Sequence, residues 1–204
     1  MRDISDRVRI EDIEILSDDH YVLRKYTFSW CRADGAWQRT VRQAFDRGNG
    51  CAILLFNRAK RTVVLTRQFR LPAFLNGQRE LMIEAAAGML DGTDPLARIV
   101  EEAKEETGYA PKNIVKVFEA FMSPGAMTEK LHFYIGECDA PEGAGGGIAG
   151  EGEDIEVLEL AIGEALAMIA DGRICDAKTI MLLQYAQLHV FGGPVGAIGN
   201  PPSP

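Results

Sequence analysis

Positive charge is scarce in this chain: 22 Lys and Arg face 30 Asp and Glu, a formal net charge of −8. A polyanionic nucleic-acid backbone would be repelled by such a surface, and neither a basic stripe nor a zinc-finger spacing is present. Cysteine is scarce too. Cys31, Cys51, Cys138 and Cys175 are scattered, with no CxxC, which argues against a thiolate metal site and a disulfide framework. They read as reduced small hydrophobes of a cytoplasmic protein. The three histidines, His20, His132 and His189, are too far apart to form a metal site; His132 reads as a strand residue and His189 as a helix residue. No apolar run reaches the length of a membrane span, and the opening MRDISDRVRIEDIE is charged throughout, unlike a signal peptide. No GK[ST] follows the glycines, so a P-loop has little support. No internal repeat is visible.

What is present is ordinary for one globular domain with a sizeable core: 204 residues, 47% hydrophobic and 25% charged. Strand patterns dominate the first eighty residues. YVLRKYTFSW alternates, Ala33-Asp34-Gly35 reads as a hairpin turn, and AWQRTVRQAF returns. CAILLFN reads as a buried strand, followed by a turn at Arg58–Arg61 and the strand TVVLTRQFR. NIVKVFEAFM and KLHFYIGEC form a further strand pair. IEVLELAIGEALAMIADGRI carries a strand and then an amphipathic helix ending near Gly172, and KTIMLLQYAQLHVF is a last helix. The implied architecture is a mixed sheet between helices. PEGAGGGIAGEGED (141 to 154) and GGPVGAIGNPPSP (192 to 204) hold little that can pack. The second reads as a disordered tail, and the first as a flexible lid carrying Glu151 and Glu153.

The stretch EEAKEETG, residues 101 to 108, is the chemically pointed one. Thr93 or Asp94 can cap a helix, Pro95 suits its first position and Gly108 its left-handed end. Leu96, Ile99, Val100 and Ala103 recur at helical spacing as an apolar stripe. Glu102 and Glu106 then lie only ~40° apart, with Glu105 about 60° from Glu102. All three project beside the stripe; Glu101 turns further towards solvent. Like charges at i, i+4 destabilise a helix by a few tenths of a kcal/mol per pair, and at ~6 Å they repel by roughly 3 kcal/mol. Arg98 can pair with Glu102 and Lys104 adds one cation, but two cations do not neutralise four carboxylates. A divalent metal would. Oxygen ligands without His or Cys favour a hard ion, Mg²⁺ or Mn²⁺.

GMLDGTDPLARIVEEAKEETGY, residues 88 to 109, resembles the Nudix box, GX5EX7REUXEEXGU with U bulky and apolar. Asp94 stands where that family has Glu, the following spacer is one residue short, and Glu101 replaces the usual Arg. FDRGNG (45 to 50), TVVLTRQFR (62 to 70), IEAAAGMLD (83 to 91), MSPGAMTEKLHFYIGE (122 to 137) and GGGIAGEGEDIEVLEL (145 to 160) follow in order. Together they resemble the GDP-mannose pyrophosphatase branch of the Nudix hydrolases, a sister of the ADP-ribose pyrophosphatases, in which the short box is usual.

The resemblance implies an α/β Nudix fold, an α/β/α sandwich with mixed sheet. It divides the chain into an N-terminal strand arm over 1–45, a hydrolase domain over 46–191 with its box at 88–109, and the tail at 192–204. It implies Mg²⁺, with Mn²⁺ as a possible substitute, held by Glu102, Glu106 and the Ala87 carbonyl. Glu153 would complete the shell and Glu105 would serve a second ion. Either Glu153 or Glu129 would act as the catalytic base. Substrate contacts are implied at Tyr21, Val41, Arg42, Gln43, Arg70, Ala87, Gly88, Met89, Glu106, Glu129, Gly152, Glu153 and Lys178. Val41, Gln43 and Gly152 depart from the Lys, Glu and Asp expected at those places. On charge alone, Arg70 and Lys178 suit phosphate. The expected reaction is hydrolysis of a nucleotide sugar, GDP-mannose giving GMP and mannose 1-phosphate. ADP-ribose hydrolysis to AMP and ribose 5-phosphate is the nearest alternative, and a non-catalytic module sensing a nucleotide sugar is another. The expected assembly is a cytoplasmic homodimer with exchanged N-terminal strands and no nucleic-acid or membrane partner.

Overall fold

The alternation of VLRKYTFSWC and WQRTVRQAFD yields a long antiparallel hairpin, β2 (Val22–Cys31) and β3 (Trp37–Asp46), with Trp30 opposite Gln38 and Cys31 opposite Trp37. The turn between them contains Gly35 at φ 87°. A third strand, β1 (Val8–Asp18), pairs with β2 and makes the sheet order β1-β2-β3. This strand was hidden in the sequence by its acidic residues and by two register shifts, at Ile10/Asp12 and Ile15/Ser17, which break the alternation. The computed structural model describes residues 3–148, 150 and 152–192. Its chain divides into two compact units: Met1–Asn49 with Phe121–Lys130, and the remainder. In the first unit the segment before Lys130 runs beside the end of β3, with Met127 bridged to Phe45 and Thr128 bonded to Asp46 at 3.1 Å.

The second unit is built on β4 (Gly50–Asn57), whose CAILLF run is almost wholly buried. A strand covered on both faces reads as a continuous apolar run. Around it the sheet runs β10-β5-β4-β9-β8, comprising β5 (Thr62–Gln68), β8 (Lys112–Phe121), β9 (Lys130–Glu137) and β10 (Glu156–Ala161). β4 and β9 are parallel, while β5 is antiparallel to both β4 and β10. Two short strands complete the seven, β6 (Met82–Glu84) on β5 and β7 (Ala86–Met89) on β4. Helix α1 (Leu71–Leu75) leads into them; its apolar residues are too few for a periodic signal.

Cys51, Ile53 and Leu55 pack with Ile99 and Ala103 of helix α2 (Pro95–Thr107) on one face. Ala52, Leu54 and Phe56 point to the other, where the Phe56 ring meets Phe191, just beyond helix α4 (Ala177–His189), at 6.1 Å. Helix α3 (Ile162–Ala170) packs against α4, β5 and β10. The result is the expected mixed α/β sandwich. His132 lies on β9 and His189 in α4, where it stacks on Tyr185 at 4.3 Å.

Two details differ from the sequence reading. Leu96, assigned to the apolar stripe of α2, is 46% exposed, while Glu102 and Glu106 are buried with Ile99 and Ala103. The Gly-rich segment is not free of the core. Gly146 and Gly147 donate to the carbonyls of Glu106 and Glu105 at 2.9 and 3.0 Å, and Glu142 and Gly143 donate to Gly108 at 2.7 and 3.1 Å. These bonds satisfy the C-terminal carbonyls that every helix leaves open. Glu151 and residues 193–204 of the tail lie outside the described residues.

Candidate active site

The site begins with the caps of α2. Asp94 accepts from Leu96 and Ala97 N–H at 3.0 and 3.1 Å, Pro95 opens the first turn, and Gly108 closes the helix at φ 74°. Of the two capping candidates the structure selects Asp94, which explains why a shorter acid stands at that place. So fixed, the helix directs Glu102 and Glu106 towards β7 instead of solvent, leaving them 7% and 3% exposed. Glu106 Oε2 accepts the Ala87 N–H at 3.2 Å. A Cβ added at Gly88 would overlap the Glu102 carboxylate, so glycine there is what lets carboxylate and loop backbone touch.

Burial, opposed by Arg98 and reinforced by Glu105 and Glu153, pushes the Glu102 carboxyl up to about 7. Burial and then the Glu102 charge push Glu106 up to about 8, against the Ala87 N–H and Arg70. Arg98 is the principal counter-charge. Its guanidinium meets Glu102 at 2.5 Å, Glu101 at 3.4 Å and Glu105 at 3.8 Å, while Nε donates to the Met89 carbonyl at 3.3 Å. It thus bridges loop and helix, in a chain whose box has Glu101 where an arginine is usual. Beneath them Cys51 is fully buried, and burial followed by the Glu102 charge raises its thiol to about 12. That thiol stays protonated and is no nucleophile.

Glu153 belongs to the same electrostatic neighbourhood, since its charge is felt at both Glu102 and Glu106. Its Oε2 accepts the Ile148 N–H at 2.8 Å, and a Cβ at Gly147 would collide with it. Among the described residues no three His, Cys, Asp or Glu side chains already close on one point. The donor set nevertheless fits a hard divalent cation: desolvated carboxylates crowd together with less positive charge than they need.

Beside this group, Arg70 Nε and Nη2 reach Glu84 at 2.8 and 3.2 Å. Lys178 also binds Glu84 and lies 3.1 Å from Asp176. Glu84 was missed in the sequence, where it is one acid in IEAAAG; its pairings in the fold, with Arg70 and across 94 positions with Lys178, mark it.

In the first unit Tyr21 packs against Phe45 at 5.6 Å, with the Arg47 guanidinium 5.5 Å from its ring. Glu129 is 8% exposed and 3.4 Å from Arg47. Val41 is 44% exposed, Gln43 is exposed, and Arg42 donates to Thr40 and the Val41 carbonyl. The structure thus gathers Ala87, Gly88, Met89, Glu102, Glu105, Glu106 and Glu153 in one unit, with Arg70 and Lys178 joined through Glu84. Tyr21, Val41, Arg42, Gln43 and Glu129 belong to the other unit. A cavity of about 410 Å³ lined by Arg67, Arg79 and Arg173 lies among other residues. Its charge is answered by Glu156 on Arg67, Asp171 on Arg173 and the lining Glu80.

Fold and carboxylate helix together define a hydrolase of the Nudix class. The solved structure of an ADP compounds hydrolase matches the chain with a TM-score of 0.72 at 13% identity, covering 94% of this chain and 100% of the other. The family model described as the GDP-mannose pyrophosphatase NudK N-terminal domain matches residues 7–45. A GDP-mannose pyrophosphatase of Pectobacterium atrosepticum is 51% identical over 186 residues, 90% of this chain and 95% of the relative. Those of Yersinia pestis and Yersinia enterocolitica are each 49% identical, covering 90% and 89% of this chain and 94% and 97% of their own. The chain belongs to the GDP-mannose pyrophosphatase family and is an enzyme, a hydrolase. Hydrolases of the Nudix class generally use divalent metals. No helix among the described residues is long and apolar enough to cross a membrane.

Proposed function

We propose that the protein is a Mg²⁺-dependent, cytoplasmic nucleotide-sugar pyrophosphatase that splits GDP-mannose into GMP and mannose 1-phosphate. The observation that carries the chemistry is the buried, under-neutralised pair Glu102 and Glu106 facing Ala87 and Gly88. Relatives of about half-identical sequence, all GDP-mannose pyrophosphatases, support the substrate. Glu102, Glu106, the Ala87 carbonyl and Glu153 hold the cation, Glu105 serves a second, and Mn²⁺ is an acceptable substitute. When bound, the metal neutralises diphosphate oxygens and lowers the pKa of water. The protein's part is positional: Asp94 and Gly108 fix the carboxylate helix, Arg98 ties it to Met89, and Glu153 or Glu129 orients the water as base. Tyr21, Val41, Arg42 and Gln43 contact the nucleotide, as do Met89 and Gly152, while Arg70 and Lys178 serve its phosphates.

We further propose that residues 1–45 are an assembly arm exchanged within a homodimer and 46–191 the hydrolase domain. Among residues 3–49 only Thr27 is buried, while Ile10, Ile13, Ile15, Trp37 and Val41 are all more than 40% exposed. A sheet with so little of its apolar surface covered is marginal by itself. The deciding experiment is a nucleotide-sugar panel with Mg²⁺, products resolved by chromatography. GDP-mannose is expected to give the highest kcat/KM. A tenfold or greater preference for ADP-ribose, about 1.4 kcal/mol of transition-state binding, would overturn the substrate.

A further inference from the structure

We infer that Glu84 is a positioning residue that presents Arg70, backed by Lys178, to the diphosphate of the substrate; the inference rests on the nucleotide-sugar reading above. Glu84 ends β6 and is 3% exposed. Its Oε1 accepts from Arg70 Nε, and its Oε2 accepts from both Arg70 Nη2 and Lys178 Nζ. Burial would raise this carboxyl, but Lys178 and Arg70 outweigh it and hold it below the usual range. Lys178 is held a second time by Asp176, which caps α4 by accepting the Thr179 N–H at 3.0 Å. Thr179, itself fully buried, accepts the Ala85 N–H at 2.7 Å and donates to Asp176 at 2.6 Å. One polar network therefore pins the start of α4 to the link between β6 and β7, two residues before Ala87.

A bidentate arginine alone would satisfy Glu84. A second cation on the same buried carboxylate adds desolvation cost and is weakly justified by stability. The asymmetry between the two cations identifies the purpose. The Lys178 side chain is 12% exposed and is the main counter-charge of Glu84, while that of Arg70 is 42% exposed and the more open to a ligand. Arg70 spends Nε and Nη2 on Glu84, which fixes the guanidinium plane, and among the described residues Nη1 makes no hydrogen bond. Glu84, which holds it, ends β6 three residues before Ala87, whose N–H donates to Glu106. An anion bridging a cation at Glu102 and Glu106 to the free edge of Arg70 would find that edge already oriented, and preorganisation of this kind strengthens binding without new contacts. With Lys178 neutralising Glu84, the Arg70 charge remains available to the ligand.

The test is GDP binding by calorimetry in EDTA, together with KM and kcat for GDP-mannose in Mg²⁺. Glu84→Gln should weaken GDP binding and raise KM by at least about tenfold, with a smaller change in kcat. Glu84→Asp keeps the charge but is too short to span both cations; it should lose less binding and melt close to wild type, which covers the case of a poorly folded Gln variant. In an Arg70→Met, Lys178→Met background, Glu84→Gln should add less than about twofold, as expected of a residue acting through those two. Equal effects in both backgrounds, or unchanged GDP binding and KM in both Glu84 variants, would overturn the inference and leave the substrate reading standing. GDP binding that depends on Glu84 in a protein that does not cleave GDP-mannose would uphold the inference and overturn the substrate. Absence of GDP binding to the wild type would overturn the inference alone, the substrate being decided by the nucleotide-sugar panel.

Discussion

Glu106 is where burial and charge conflict most sharply. It is 3% exposed and its pKa is raised to about 8 by burial and then by Glu102. Replacing it with Gln keeps the shape and removes the charge. Turnover should fall by roughly two orders of magnitude or more, about 2.7 kcal/mol, while the metal-free protein melts no lower than wild type. Divalent cation should raise the wild-type melting temperature and raise that of Glu106→Gln less, because a ligand of the folded state stabilises it by mass action. The pH dependence follows from the direction of the shifts. Glu102, at about 7, and Glu106, at about 8, hold protons in the native protein where the unfolded chain has released them. Their contribution to metal-free stability is therefore greatest on the acid side and is lost as pH rises through those values. Calorimetry in EDTA should give a lower melting temperature near about pH 9 than near about pH 6, with a smaller difference in Glu106→Gln. A flat profile in the wild type would mean that the carboxylates are not strained. The spacing of EEAKEETG made these residues legible, because like charges at i, i+4 need a reason. Glu84 had no such signature.

At the scale of elements, α2 is the part whose ends matter. Asp94→Ala removes a cap and should cost about 1 kcal/mol, a fall in melting temperature of roughly 2–4 °C for a chain of this size. Its C-terminal end depends on the glycine segment, whose backbone N–H groups meet the Glu105, Glu106 and Gly108 carbonyls. Gly145 has φ 64°, and a Cβ there would lie 2.6 Å from the Thr107 carbonyl carbon and 2.8 Å from the Gly108 nitrogen. Gly145→Ala should therefore lower stability by more than about 1 kcal/mol. Gly125→Ala, with open space and no positive φ, should differ little from wild type. Equal melting temperatures for the two variants would contradict the docked geometry. Composition alone made this segment look like a free lid, because a run of glycines carries no apolar signal. Its partners are helix carbonyls that no pattern of side chains reveals. The same blindness applied to β1, whose isoleucines are offset by two register shifts.

For the whole molecule, the exposed apolar side chains of β1 carry the assembly argument. Ile13→Lys combined with Ile15→Lys should convert the proposed dimer to monomer in sedimentation velocity, with loss of activity if strands from a second copy serve the site. A variant that remains dimeric would separate the arm from assembly. The sequence by itself determined most of the longer strands and helices, β1 excepted, and the capped carboxylate helix, because these rest on local period, caps and spacing; the family followed from the resemblance of its motifs. Hydrophobic alternation sufficed for β2 and β3, continuous apolar runs for β4 and β5, and the Asp94-Pro95 to Gly108 frame for α2. Only the tertiary structure decided which cations answer which carboxylates: Arg98 on Glu102, and Arg70 with Lys178 on Glu84. It alone showed that Gly88 makes room for Glu102 and that the glycine segment closes the helix. Those are contacts between groups up to 94 residues apart. Their strength depends on burial and on neighbouring charge, which come into being only when the chain has folded.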